Sequence, residues 1–170
     1  MRLDVGCGNT PIGDVNIDFL GSERHRAGVK LAAKNIPNFI CASAYALPFR
    51  DDFFDEVVSF HLLEHLDAPL IALREMVRVS KDLVTVVVPA FAFRGECEEH
   101  LYTWGEGSLL NILRKAGLED VKVSTGWFRE VKGNILKRAY KRSYVLGNFL
   151  MIFMRKLYRI ELQGKGRKYR

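Results

Sequence analysis

Cysteine is scarce. The 170 residues hold three, Cys7, Cys41 and Cys97, odd in number and widely spaced. That excludes a disulfide framework and suits a reducing, cytosolic setting. No apolar run reaches the ~20 residues of a membrane-spanning helix. The longest near-apolar stretch, YVLGNFLMIFM, has 11. Glycines and acids interrupt the apolar start and no cleavage-site pattern follows, so no secretory leader is expected. The phosphate-loop pattern ending in Lys-Ser/Thr is missing, and so is the third glycine of the dinucleotide fingerprint, whose place Pro11 takes. An acid about 20 residues on is also lacking, since Asp18 comes only 12 after Gly6. NAD and ATP are therefore disfavoured. Cys97 and His100, in GECEEH, lack a second ligand pair at zinc spacing, so no metal is expected.

What is present reads as a single globular domain over residues 1–170. Hydrophobic residues make up 48% and charged residues 27%, enough to bury a core. The net charge of +6 conceals an asymmetry. Residues 129–170 carry 13 of the 26 basic residues against two acids, Glu130 and Glu161, so that the rest of the chain is net acidic. A basic segment of this kind attracts phosphates, of nucleic acid or of an anionic membrane surface, unless it is simply a solvated face. There is no internal repeat or low-complexity linker. The one break in composition falls near 127–132.

Apolar runs alternate with helical patterns. RLDVG, DVNIDF, NFICAS, FDEVVSF, DLVTVVVP, EDVKVSTGW and RIELQG read as seven strands. A short helix is expected over 22–34 with Ser22 as N-cap. A second carries Leu70, Leu73 and Val77 at i, i+3, i+7 behind Asp67 as N-cap. A third has Leu109, Ile112, Leu113 and Ala116 on one face and ends at Gly117. Such alternation predicts an α/β fold, a doubly wound and mostly parallel sheet with helices on both faces.

The Gly6-Cys7-Gly8 turn ends the first strand, where ligands of open parallel sheets sit, and lets backbone pass close to a ligand. Without a phosphate cradle, the turn suits a nucleoside lacking a phosphate chain. Asp18, ending strand two, is placed to accept two ribose hydroxyls.

At these blocks the chain resembles the class I S-adenosylmethionine-dependent methyltransferases of the small kind called methyltransferase type 11. LDVGCGN matches the first motif and NIDF the acid after strand two. ASAYALPFRDDFFDEVVSFHLLEHL matches the long central stretch, and EHLYTWGEGSLLNILRKAGLEDV the block before strand six, so that the likeness spans roughly residues 3–123. The resemblance implies a Rossmann-like, seven-stranded fold with S-adenosylmethionine as cofactor. Asp4, Gly6, Cys7 and Gly8 then line its methionine and ribose, and Asp18 takes the ribose hydroxyls. Phe19, Ser43, Ala44 and Leu47 border the adenine, and Phe60 and His61 face the cofactor from the other side. Two departures stand out. Ser43 replaces the acid usual before Ala44, a weaker acceptor for the adenine amino group. The helix that normally precedes the first strand is missing, which leaves the site open or closed by another segment.

Methyl transfer needs a general base only for a poor nucleophile. His61, Glu64, His65 and His100 are candidates, with His61 first and His100, in a loop, second as catalytic residues. The basic, apolar segment at 129–158 precedes the last strand. It reads as a cover for the sheet, a lid over the cleft, a membrane-surface helix over 132–159, or an RNA groove with Tyr140, Tyr144 and Tyr158. If uncovered, it invites pairing with a second copy of the chain. The leading expectation is a cytoplasmic methyltransferase, peripheral to membranes if that segment binds them, acting on a small or lipid-like acceptor. The alternatives are an RNA methyltransferase and a non-catalytic cofactor-binding module. Nucleic acid ranks lower because the acidic body repels a long phosphate backbone.

Overall fold

The computed structural model describes residues 1–19, 31–90, 100–126 and 161–168. All seven expected strands are present: β1 (Arg2–Val5), β2 (Val15–Asp18), β3 (Phe39–Cys41), β4 (Phe54–Phe60), β5 (Ser80–Pro89), β6 (Leu118–Gly126) and β7 (Glu161–Lys168). They form one sheet in the order β3-β2-β1-β4-β5-β7-β6. The first five run parallel to one another, and β7 runs antiparallel between β5 and β6. The valine-rich β4 and β5 lie inside the sheet, where stiff β-branched side chains pack well. Val57, Val58, Val84, Val86, Val87 and Val88 are all buried there.

Two α-helices, α1 (Pro69–Val79) and α2 (Glu106–Lys115), cover the sheet. Helix α1 buries Ala72, Leu73, Met76 and Val77. Its N-cap is Ala68, with no side-chain cap, rather than the expected Asp67. Pro69 explains the shift: fixed near helical φ and lacking an N–H, it starts the helix one residue later than an Asp67 cap requires. Helix α2 buries Leu109 and Leu113 and stops where Gly117 turns left-handed at φ +100°. It lies hard against β7. A Cβ on Gly164 would come within 2.5 Å of Leu113 Cδ1 and 3.3 Å of Leu109 Cδ2, so any larger residue here makes these leucine side chains shift.

The expected helices on both faces are not found among the described residues. Helices α1 and α2 pack against β4–β5 and β6–β7 respectively and touch each other, which puts them on one face. Most of the helix expected over 22–34 lies outside the described residues, and its end is a single 3-10 turn, Ala33–Asn35. The β1–β2 crossover, residues 6–14, contains no helix at all. A crossover between adjacent parallel strands usually takes a dozen or more residues when it includes a helix, and this one is shorter. The basic segment 129–158, the composition break near 127–132 and Cys97 also lie outside the described residues.

Candidate functional site

The strand order reverses between β1 and β4, so the ligand crevice of such a sheet opens beyond the carboxyl ends of these strands. The first crossover begins there. Gly6 and Gly8 take φ +75° and +53°, left-handed conformations that glycine adopts without strain. A Cβ on Gly6 would press to 3.0 Å against Leu62, whereas one on Gly8 would meet nothing within 4 Å. The turn therefore packs on its inner side and opens outward at Gly8. The N–H groups of Gly6 and Cys7 both donate to the Ile17 carbonyl, at 2.9 and 3.1 Å. The Asp18 carboxylate accepts from Gly8 N–H at 2.8 Å and Phe19 N–H at 2.7 Å. Asp18 thus fixes the turn from the end of β2.

Asp4 lies beneath this turn, only 2% exposed. Its Oδ2 accepts the Ile12 N–H at 3.0 Å, while its Oδ1 is buried with no hydrogen-bond partner. Burial pushes its pKa up to about 6, and the nearby Asp18 charge adds to the rise against the Ile12 hydrogen bond. Burial likewise pushes the Cys7 thiol up to about 12. That makes Cys7 a small packed residue and a poor nucleophile. An orphaned carboxylate oxygen beside an outward-opening turn fits a ligand that brings hydrogen-bond donors, such as an ammonium or sugar hydroxyls. Two carboxylates at one turn repel a pyrophosphate. These residues fit the nucleoside amino acid that the resemblance implies.

The loop after β3 carries Ser43, Ala44 and Leu47. Ser43 Oγ accepts the Tyr45 N–H at 3.2 Å. Leu47 is 4% exposed and belongs to the hydrophobic core. Its N–H donates to Glu75 Oε2 at 2.8 Å. The Arg78 guanidinium completes the clamp: it donates to both Glu75 oxygens, to Asp51 and to the Leu47 and Phe49 carbonyls, all within 3.0 Å. The Arg78 bond holds the Glu75 carboxyl below its usual range. The sequence reading missed this pair. An acid and an arginine three apart on the helix after the loop were the available signal, but they look like any surface ion pair.

On the far side of the crevice, β4 ends at Phe60, which is half-buried, and Phe19 at the end of β2 is 57% exposed. His61 adopts φ +54°, sparsely populated for a non-glycine residue, while its N–H still donates to the Val87 carbonyl at 2.8 Å. The next turn, Leu63–His65, buries Glu64 completely. His61 Nδ1 lies 3.4 Å and His65 Nε2 4.0 Å from Glu64 Oε1. The Glu64 carbonyl accepts the N–H groups of Leu101 and Tyr102 at 2.8 and 3.3 Å, which brings His100 alongside. The His65 and His100 rings meet edge-on, with centroids 4.8 Å apart. All four proposed acid–base candidates are therefore neighbours. A separate open cleft of about 270 Å³, lined by residues such as Arg2, Asp14 and Asp55, lies at the amino ends of the strands, away from this chemistry.

Residues 3–88 match the family described as methyltransferase domain. The chain belongs to that family. Family membership makes S-adenosylmethionine the cofactor, as the resemblance implied. The chain is 33% identical over 96 residues to a demethylmenaquinone methyltransferase of Renibacterium salmoninarum, covering 53% of this chain and 40% of that protein. It is 30% identical over 107 residues to a tRNA (carboxymethyluridine(34)-5-O)-methyltransferase of Arabidopsis thaliana, covering 60% of this chain and 26% of that one. The chain thus spans less than half the length of these relatives. The fold matches that of Haemonchus contortus phosphoethanolamine N-methyltransferase 2, solved with S-adenosylmethionine, at a TM-score of 0.64 and 16% identity over 99% of this chain and 48% of that one. The expected family and the mostly parallel, Rossmann-like sheet are borne out.

Proposed function

We propose that this chain transfers the methyl group of S-adenosylmethionine to a small or lipid-like acceptor at the carboxyl edge of the sheet. The observation that carries the reading is the outward-opening Gly6–Gly8 turn set between two carboxylates, one of them holding a buried oxygen without a donor. When bound, the cofactor supplies a sulfonium methyl group and with it the reactivity. The protein's part is positioning. Asp4, Gly6, Cys7 and Gly8 take the methionine and ribose, and Asp18 takes the ribose hydroxyls. Phe19, Ser43 and Ala44 flank the adenine, with Leu47 supporting them from the core. Phe60 and His61 face the methyl side, where the His61 imidazole can accept a proton from a hydroxyl acceptor, with His100, beside His65, the second candidate. Exposed apolar side chains of Leu101 and Tyr102 near this edge favour an acceptor with an apolar part. The cationic, apolar composition of 132–159 suits the same kind of acceptor, or the membrane that holds it.

Calorimetric titration with S-adenosylmethionine and S-adenosylhomocysteine tests the reading. The expected result is micromolar binding that Asp18→Ala weakens at least tenfold, because the mutation removes both the ribose acceptor and the anchor of the Gly8 amide. A folded parent chain that binds neither compound would overturn it.

A further inference from the structure

We infer that Glu64, His65 and His100 form a binding site for a divalent transition-metal ion. Their ligand atoms, one from each residue, all lie within 4.8 Å of one another. Metal–nitrogen and metal–oxygen bonds are about 2.0–2.2 Å, so two ligands at the tetrahedral angle on one ion stand about 3.4 Å apart. Side-chain rotations that shorten the longest separation by about 1.4 Å close the cluster around an ion.

The second observation is independent of that spacing. Glu64 is fully buried, and both its carboxylate oxygens lack a hydrogen-bond partner. The nearby His61 and His65 nitrogens, at 3.4 and 4.0 Å, do not make one. A carboxylate taken out of water needs a cation or hydrogen bonds in exchange. The fold spends backbone pairing on bringing the third ligand there, since Leu101 and Tyr102 donate to the Glu64 carbonyl and so seat His100 over the turn. Two imidazoles and one carboxylate suit zinc and other late divalent ions, whereas magnesium and calcium prefer oxygen ligands. His61, beside Glu64, is placed to hydrogen-bond the ligating carboxylate from outside.

As a metal ligand, His100 has only Cys97 beside it in GECEEH, with no second pair at zinc spacing. The fold supplies different partners. Leu62, one residue before the turn, packs on Gly6, so the ion sits next to the glycine turn. An acceptor hydroxyl bound to the ion gives up its proton more readily, as metal-bound water does, which eases the transfer to His61.

The test uses the full chain stripped with a chelator and titrated with Zn²⁺ by calorimetry and Co²⁺ by visible absorption. One ion per chain is expected. Glu64→Gln and His100→Ala should each weaken binding by about 100-fold or more, at the upper end of what losing even an outer partner costs. His65→Gln, on a partly exposed ring, keeps the test decisive if Glu64→Gln does not fold. No uptake by the parent chain, or variants that bind as tightly as the parent, would overturn the assignment. S-adenosylmethionine titrated into the same stripped preparation separates the two readings, because loss of the metal site leaves cofactor binding intact and the converse also holds.

Discussion

Replacing Asp4 by asparagine should stabilise the ligand-free protein, and by an amount that depends on pH. The native carboxyl titrates near 6 instead of 3.8, chiefly because burial penalises its charge. The raised native value means that the folded state binds more protons than the unfolded state between about pH 4 and 6, so stability falls as pH rises through that window. A shift of about two units at 1.36 kcal/mol each leaves Asp4 costing about 3 kcal/mol at neutral pH. Asparagine keeps an acceptor for the Ile12 N–H and carries no charge. Urea unfolding at pH 7.5 should therefore show Asp4→Asn about 2–3 kcal/mol more stable than the parent, with the gap closing by pH 4. An asparagine variant that is equal or less stable at pH 7.5 refutes the argument. Saturating S-adenosylmethionine should narrow the gap, because a ligand that brings a donor to Oδ1 binds the parent better than the variant.

Arg78→Ala removes five hydrogen bonds, three to the loop that carries Ser43–Leu47 and two to Glu75, and should cost about 2 kcal/mol by urea unfolding, with weaker cofactor binding by calorimetry; Arg78→Lys should recover less than half, having no planar fork. Gly164→Ala should lower stability by about 1–3 kcal/mol, since the added carbon meets Leu113 at 2.5 Å, and an unchanged unfolding midpoint would show that α2 can move away. Iodoacetamide followed by peptide mass spectrometry should label the exposed Cys41 quickly and the buried Cys7 only on unfolding; equal rates would contradict the packing of the glycine turn.

The strands were readable because period and composition agree. VVSF and LVTVVVP are β-branched runs that satisfy no helical period, and each lies within a strand. The glycine turn and Asp18 were readable because φ > 0 and a strand-end acid leave marks in single residues. Groups that depend on contacts between distant segments left no such mark. Arg78 clamps a loop some thirty positions before it, and HLLEHL reads as a turn or a helix start until the Leu101 and Tyr102 amides reach the Glu64 carbonyl. No helix is expected between RLDVG and DVNIDF, and residues 6–14 are held instead by hydrogen bonds to β1 and β2: Asp14 N–H to the Arg2 carbonyl, Arg2 N–H to the Asp14 carboxylate, and Gly13 with the Asn16 side chain.

The two edges of the sheet differ in how their charged and polar groups are paired. At the amino edge charges are matched on the surface: Arg2 with Glu56, Lys81 and the terminal amine with Asp55, Lys168 with Asp52. The Asp55 carboxyl is held down to about 2 by Lys81 and the terminal amine. Toward the carboxyl edge the accounting reverses. Among the described residues, every buried side-chain polar atom without a hydrogen-bond partner belongs to Asp4, Glu64 or Trp104. Asp4 lies under the glycine turn, Glu64 follows β4, and Trp104 bridges Ala90 just past β5. Left-handed φ at non-glycine residues occurs at both edges, at His61 on this side and at Asn38 and Asp52 just before β3 and β4 on the other. Unsatisfied buried polar groups cost stability, and chance would scatter them over both edges. Their concentration on one edge fits a surface that binds: Asp4 and Glu64 offer acceptors where the cofactor and the ion are proposed to sit, and the Trp104 indole N–H offers a donor.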